Sequence, residues 1–98
     1  KGIVEPELSP PESAAKEAWE EAGVRGVVAS TCLGTYRYRK WGGVCTVRVF
    51  PMHVTEVFDR WPECEERTRR WLTVGQAVYQ TSVRPLKEIL LRLDEALS

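Results

Sequence analysis

Hydrophobic and polar residues repeat with a helical period near the start of this chain. From about Pro10 to Ala22, alanines fall on one side of a helical wheel and charged residues gather on another. Ser9 can serve as the N-cap of a capping box, with Glu12 as its third helical residue. Gly23 is placed to end the helix in the left-handed conformation. The pattern therefore predicts one helix between these start and stop signals.

The middle of the chain alternates in the manner of β-strands. The predicted elements are a short β-rich run at Val27–Cys32, a strand at Thr35–Arg39 and a turn at Trp41–Gly43. The longest predicted strand is Val44–Val57. Pro51 requires an edge position or a bulge in that strand, because proline donates no backbone hydrogen bond.

The last third of the chain predicts a polar loop followed by helices. Residues 59–68 are rich in charged side chains, and Arg70–Leu72 has the composition of a short strand. Thr73–Gln76 forms a second capping box, which opens a short helix. A leucine-rich stripe from about Arg84 to the end predicts a final helix. A helix, several strands and closing helices together indicate an α/β (α+β) layered domain.

Composition limits the classes of partner. The 98 residues suit a single domain spanning 1–98, and 14 basic residues balance 14 acidic ones. The chain therefore has no general basic excess, which argues against a nucleic-acid partner. No apolar run approaches the ~20 residues that span a bilayer, so no membrane partner is expected. Three cysteines without C-x-x-C spacing indicate reduced thiols in a cytoplasmic protein.

Three glutamates share one face of the predicted first helix. Glu17, Glu20 and Glu21 stand at i, i+3 and i+4 in the last turns, where the helix dipole disfavours each negative charge by about 0.3–1 kcal/mol. Lys16 can pair with Glu20 and offset part of that cost. Carboxylates on adjacent turns suit a hard cation such as Mg²⁺. The spacing alone also fits a solvated acidic face, which is the commoner fate of such a run of charges.

A longer pattern around this helix resembles the Nudix box, G-x5-E-x7-R-E-U-x-E-E-x-G-U, where U is a bulky aliphatic residue. The motif positions that match without a gap are those of Gly2, Glu17, Glu20, Glu21, Gly23 and Val24. Three positions depart from the motif: Leu8 stands in place of the first glutamate, Lys16 in place of the arginine, and Ala18 in place of the aliphatic residue. Lysine keeps the positive charge but lacks the planar fork that orients a carboxylate.

The remainder of the chain is similar to one branch of that family, the diphosphoinositol polyphosphate phosphohydrolases. The similarity lies in Glu20–Gly26, Val54–Val57, Trp61 and Arg69–Leu72. The resemblance implies a Nudix-type α/β/α sandwich around a mixed β-sheet, of which this chain lacks the leading strands and so the N-terminal part of the domain. Either preceding residues or another chain would cover the unpaired sheet edge, and a homodimer is one form of the second alternative.

The resemblance also implies an activity and its site. The expected reaction is hydrolysis of a diphosphate linkage in a nucleoside diphosphate-linked, dinucleoside polyphosphate or diphosphoinositol polyphosphate substrate, a small-molecule partner, with Mg²⁺ or Mn²⁺ as the cofactor. By motif position, Glu17, Glu20 and Glu21 are metal ligands, and the backbone carbonyl of Lys1 is a further one. The implied catalytic residues are Glu20 and Glu21, with Lys16 as the orienting cation.

Residues outside the motif supply further candidates for the site. A distant catalytic base is sought among acids of the polar loop and the strand end, which are Glu65, Glu66 and Glu56. Phosphate contacts are sought among cations that follow the first helix, which are Arg37, Arg39, Lys40, Arg48 and Arg84. Each of these side chains also fits an ordinary exposed surface position. The departures at Leu8 and Lys16 motivate a second hypothesis, a Nudix-like ligand-binding or regulatory module with little or no catalysis.

Overall fold

The computed structural model describes residues 7–97 of the chain. Its elements are α1 (Pro10–Ala22), β1 (Val24–Val28), β2 (Gly34–Lys40), β3 (Gly43–Val49), β4 (Met52–Val57), α2 (Val74–Gln80) and α3 (Arg84–Leu97). The predicted bounds of the first helix are confirmed, as are the two closing helices. The α+β class is therefore confirmed. No helix in this part of the chain combines the length and apolarity needed to cross a membrane.

The strands form two antiparallel pairs within residues 7–97, rather than one mixed sheet. β1 pairs with β4, from Val24 opposite Val57 to Val28 opposite Met52. β2 pairs with β3 throughout its length. The register of the first pair shifts between Arg25 and Gly26, where the carbonyl of His53 leaves no room for a side chain on the glycine.

Three strand predictions were wrong in their bounds or in kind. The long strand Val44–Val57 is two strands that belong to different pairs, because Pro51 interrupts the ladder and the chain turns there. The first strand begins at Val24 rather than Val27, because its pairing with β4 starts directly after α1. Arg70–Leu72 has no strand structure, since its exposed backbone pairs with no strand among the described residues.

The turn between β2 and β3 is the predicted one at Trp41 and Gly42. Both residues have positive φ, 51° and 74°, as a two-residue hairpin turn requires. Alternation along the hairpin places Tyr36 and Tyr38 on the face that is partly buried, and Arg37 on the exposed face. The hairpin therefore has one side against the helices and one side in water.

A small apolar core joins these elements. Its most buried members are Val24, Val47 and Ile89, which are 7%, 7% and 2% exposed. α1 packs on β1, α2 packs on α3, and α3 reaches β2. The side chain of Ile89 lies so close to Gly34 that a β-carbon there would approach it to 2.6 Å. The core thus holds α1 against β1 and leaves the acidic face of α1 outside it.

Candidate functional site

Helix α1 carries the acidic residues and has well-defined ends. Ser9 Oγ accepts a hydrogen bond from the Glu12 backbone N–H at 3.3 Å, and Glu12 Oε1 accepts one from the Ser9 N–H at 2.9 Å. Gly23 adopts the left-handed conformation, with φ 65°, and its N–H bonds to carbonyls of the last turn. Both caps were predicted from the sequence. They place Glu17, Glu20 and Glu21 in the last turns of a helix of defined length.

Two of the three glutamates interact directly. Glu17 and Glu21 are hydrogen-bonded through their side chains, and this bond is the largest cause that raises the pKa of Glu17 above its ordinary value of 4.5. Together with partial burial and the charges of Glu21 and Glu20, the bond brings this pKa to about 7. The pair therefore shares a proton near neutral pH. A hard divalent cation can replace such a proton between two carboxylates.

Glu20 has a different partner on the same helix. Its Oε1 atom is buried and has no hydrogen-bond partner within the described residues. Lys16 Nζ lies 3.6 Å from the same oxygen, which confirms the predicted Lys16–Glu20 pair as an ion pair without a hydrogen bond. The Lys16 ammonium thus supplies the positive charge beside this buried oxygen.

The three carboxylates do not converge on one point. Across residues 7–97, no group of three or more His, Cys, Asp or Glu side chains is arranged to hold a metal ion. Glu17 and Glu21 form one pair, while Glu20 lies against Lys16. The predicted carbonyl ligand at Lys1 lies outside the described residues. The Glu17–Glu21 pair offers two carboxylates to a divalent ion, which suits an ion such as Mg²⁺ that keeps several water ligands.

A cleft of about 280 Å³ borders this acidic pair. Glu17 and Glu21 line one side of it. Its other walls are the alanine face of α1, the end of β1 and the connection from β3 to β4, through Ala14, Ala18, Ala22, Val28, Val49, Phe50 and Met52. The cleft therefore combines two carboxylates with an apolar surface, and it can hold an ion beside the uncharged part of a ligand.

Arg67 contributes a cation that was not among the sequence-based candidates. Its guanidinium lies 3.3 Å from Glu21 Oε1 and donates a hydrogen bond of 2.8 Å to Glu63 Oε1. The hydrogen bond to Glu63 and the charge of Glu21 raise the pKa of Arg67. The i,i+4 spacing from Glu63 was a signal present in the sequence. The contact with Glu21 left no such signal, because it joins a loop to a helix far apart in the chain.

The candidate distant bases remain exposed. Glu65 and Glu66 lie in the turn of the 59–68 loop, and Glu56 lies on β4 opposite Arg25. Other residues of this loop contact the end of α1, namely Trp61, Glu63 and Arg67. Arg69, which follows the loop, also donates a hydrogen bond to a carbonyl of α1. The loop thus approaches the acidic helix, with Glu65 and Glu66 on its exposed side.

The candidate phosphate-binding cations fall into two groups. Arg37, Arg39 and Arg48 are exposed on the outer face of the β2–β3 hairpin, and the Lys40 ammonium lies 4.4 Å from the Trp41 ring at its tip. Arg84 lines a second cleft of about 370 Å³ between β2 and the start of α3, and residues of β2 including Arg37 also line it. No Asp or Glu occurs between Glu21 and Glu56, so every charged residue of the hairpin is an arginine or a lysine.

Lowering the pH is expected to stabilise the metal-free chain. The pKa of Glu17 is about 7 in the folded state, and its ordinary value is 4.5. At a pH between these two values, the folded state retains a proton that the unfolded state has released. This stabilising contribution is complete below the ordinary value and is lost as the pH rises through about 7. In chelator, Tm should fall from about pH 5 to about pH 8. A Glu17→Gln variant should lose most of that fall, and an unchanged slope would contradict the shared proton.

Comparisons with known proteins identify relatives in plants. No protein-family model matches the chain. It is 36% identical over 96 residues to Nudix hydrolase 12, mitochondrial, of Arabidopsis thaliana, covering 86% of this chain and 47% of that protein. It is 41% identical over 75 residues to Nudix hydrolase 16, mitochondrial, of the same plant, covering 68% and 41%. For Nudix hydrolase 17, mitochondrial, the identity is 38% over 100 residues, covering 100% and 54%. The chain spans about half the length of these relatives.

Proposed function

The chain belongs to the Nudix hydrolase family, and we propose that it acts as a metal-dependent hydrolase of a diphosphate linkage. The main support for the proposal is the Glu17–Glu21 pair, which shares a proton beside a cleft on the helix that matches the Nudix motif. Two carboxylates held this close repel each other unless a proton or a cation lies between them. Mg²⁺ or Mn²⁺ is the proposed occupant, bound through oxygen ligands.

Each carboxylate has a separate part in the proposed reaction. Glu17 and Glu21 would hold the ion, which would supply stabilisation of charge on the phosphoryl oxygens and a more acidic attacking water. Glu20, whose side chain is 32% exposed, would take the proton of the water through the carboxylate oxygen that does not lie beside Lys16. The water oxygen forms a bond to phosphorus, and the bridging P–O bond breaks. The bridging oxygen leaves with the second phosphate-bearing fragment. Lys16 holds Glu20 in place through their ion pair.

The basic hairpin supports a polyanionic substrate. Arg37, Arg39 and Arg48 lie on one exposed face of β2 and β3, and no acid interrupts that segment. Guanidinium groups bind phosphate oxygens in bidentate fashion, so this face suits the phosphates that are not cleaved. A nucleoside diphosphate-linked, dinucleoside polyphosphate or diphosphoinositol polyphosphate compound meets this description.

A cytoplasmic location stays a prediction. The printed names of several relatives contain the word mitochondrial or chloroplastic.

The second candidate function is a ligand-binding module with little catalysis. Two observations favour it: Leu8 stands where the motif has a glutamate, and Arg67 already neutralises Glu21. Such a module would bind the same ligands in the cleft without turning them over. The two functions therefore differ in product formation and agree in ligand chemistry.

Calorimetric titration with Mn²⁺ and a product assay distinguish the two functions. At about pH 6, where Glu17 holds its proton, we expect Mn²⁺ to bind the full-length protein and release up to one proton, seen as a heat that depends on the buffer. A panel of diphosphate-linked compounds should then release phosphate-bearing fragments only with Mg²⁺ or Mn²⁺ present. Metal and ligand binding without turnover would support the module, and failure to bind metal at millimolar concentration would contradict the hydrolase.

A further inference from the structure

The segment that follows β4 is bonded to the end of α1 at consecutive carbonyl groups. We call residues 58–69 the capping loop. The Glu63 N–H donates to the Glu20 carbonyl at 3.0 Å, and Trp61 Nε1 donates to the Glu21 carbonyl at 3.0 Å. Arg69 NH1 donates to the Ala22 carbonyl at 2.8 Å. Three carbonyl groups in succession thus receive donors from one loop.

These hydrogen bonds satisfy carbonyl groups at the C-terminal end of α1. The last four carbonyl groups of an α-helix lack partners within the helix, and the negative end of its dipole attracts a cation. Many helices satisfy these groups with water. Here a backbone amide, an indole and a guanidinium do so, and the guanidinium places a positive charge at the dipole's negative end. The end of α1 is therefore held by groups distant in sequence.

Arg69 also links the helix to the sheet. The same NH1 atom donates to the Phe58 carbonyl at 2.8 Å, directly after β4, while the guanidinium lies 4.5 Å from the centre of the Trp61 ring. Phe58 N in turn donates to the Gly23 carbonyl at 2.9 Å. One planar cation thus connects the end of α1, the end of β4 and the indole. A lysine ammonium could reach the carbonyls but cannot stack as a plane on the indole.

We propose that Arg69 and Trp61 are positioning residues, which fix the last turn of α1 and thereby the relative placement of Glu17, Glu20 and Glu21. This inference rests on the proposed function. The carbonyls that the loop binds belong to Glu20, Glu21 and Ala22, so any fraying of this turn moves the side chains of Glu20 and Glu21. Arg67 adds a side-chain contact from the same loop to Glu21. The geometry of the carboxylates therefore depends on the capping loop.

Substitution of Arg69 and Trp61 in the full-length protein tests this role. Arg69→Lys keeps the charge and loses the planar stack, while Trp61→Phe keeps a ring and loses the Nε1 donor. Arg70→Ala is the matched control, because Arg70 is an exposed neighbour that bonds instead to Gln80. The readouts are the Mn²⁺ dissociation constant from calorimetry, hydrogen exchange of the amides of residues 20–24, and kcat and KM, all well below Tm.

For Arg69→Lys we expect Mn²⁺ binding about 10–100-fold weaker, the range found when groups that orient metal ligands are removed. Exchange in residues 20–24 should accelerate and kcat should fall, with KM changing less than kcat. Trp61→Phe should show the same effects to a smaller extent, and Arg70→Ala should match the wild type. Losses of Tm alone, with Mn²⁺ affinity and local exchange unchanged in the folded variants, would overturn the proposal.

The exchange readout separates this inference from the proposed function. If the wild-type protein bound no Mn²⁺, the hydrolase would be contradicted. Exchange at residues 20–24 would still decide whether Arg69 and Trp61 hold the end of α1. If exchange accelerated equally in Arg70→Ala, the specific role of Arg69 would be overturned.

Discussion

Replacement of Glu21 by glutamine is expected to lower Mn²⁺ affinity and kcat by at least about 10–100-fold, the range found when groups that only orient metal ligands are removed, while the chain remains folded. Glu21 contacts two charged side chains, since it is hydrogen-bonded to Glu17 and forms an ion pair with Arg67. A neutral amide of the same shape can accept hydrogen bonds but lacks the negative charge through which carboxylates bind Mg²⁺. The measurement is kcat on the best substrate of the panel, with Mn²⁺ affinity measured in parallel.

Two control variants separate the metal role of Glu21 from its ion pair. Glu88→Gln removes an exposed acid on α3, outside the site, and should leave kcat unchanged. Arg67→Gln breaks the same ion pair from its other end and leaves the Glu21 carboxylate in place, so Mn²⁺ binding should persist. If Glu21→Gln kept the wild-type rate, or if Arg67→Gln abolished Mn²⁺ binding equally, the assignment of Glu21 as a ligand would be contradicted.

Gly23→Ala is expected to destabilise the chain by about 2–5 kcal/mol. Of this, ~1–2 kcal/mol is the cost of alanine in the left-handed conformation, and ~1–3 kcal/mol is the cost of overpacking. Gly23 has φ 65°, and a β-carbon there would lie 2.6 Å from the Trp61 ring. The ring cannot retreat without losing its hydrogen bond to the Glu21 carbonyl and its stack on Arg69. Urea denaturation monitored by circular dichroism gives the change in the free energy of unfolding.

Two other glycines distinguish the backbone cost from the contact with Trp61. Gly42 has φ 74°, and a β-carbon there would meet no atom within 4 Å, so Gly42→Ala should lose only the ~1–2 kcal/mol of the left-handed conformation. Gly75 has no positive φ and lies in α2, where alanine is favoured over glycine by ~1 kcal/mol. Gly75→Ala should therefore not destabilise the chain. If Gly23→Ala and Gly42→Ala cost the same, close packing against Trp61 would contribute nothing.

The helices could be predicted closely because their signals are local. The capping boxes at Ser9 and Thr73 use groups three positions apart, and Gly23 ends α1 through its own backbone conformation. The strands were predicted less well, since their bounds depend on partners elsewhere in the chain. β1 begins at Val24 because Val57 lies opposite it, and alternation within β1 contains no information about that partner.

Local sequence is enough to define the helix that carries Glu17, Glu20 and Glu21, the spacing that puts them on one face, and the match to the Nudix motif. The same i,i+4 spacing also places Glu17 beside Glu21 and Glu20 beside Lys16. The contact of Glu21 with Arg67 depends instead on the folded chain. Folding also brings Arg69 to the end of α1 across 47 positions of chain. Helix periodicity is set by neighbouring residues, whereas the contacts of Arg69 exist only because β4 pairs with β1 and carries the capping loop back to the helix.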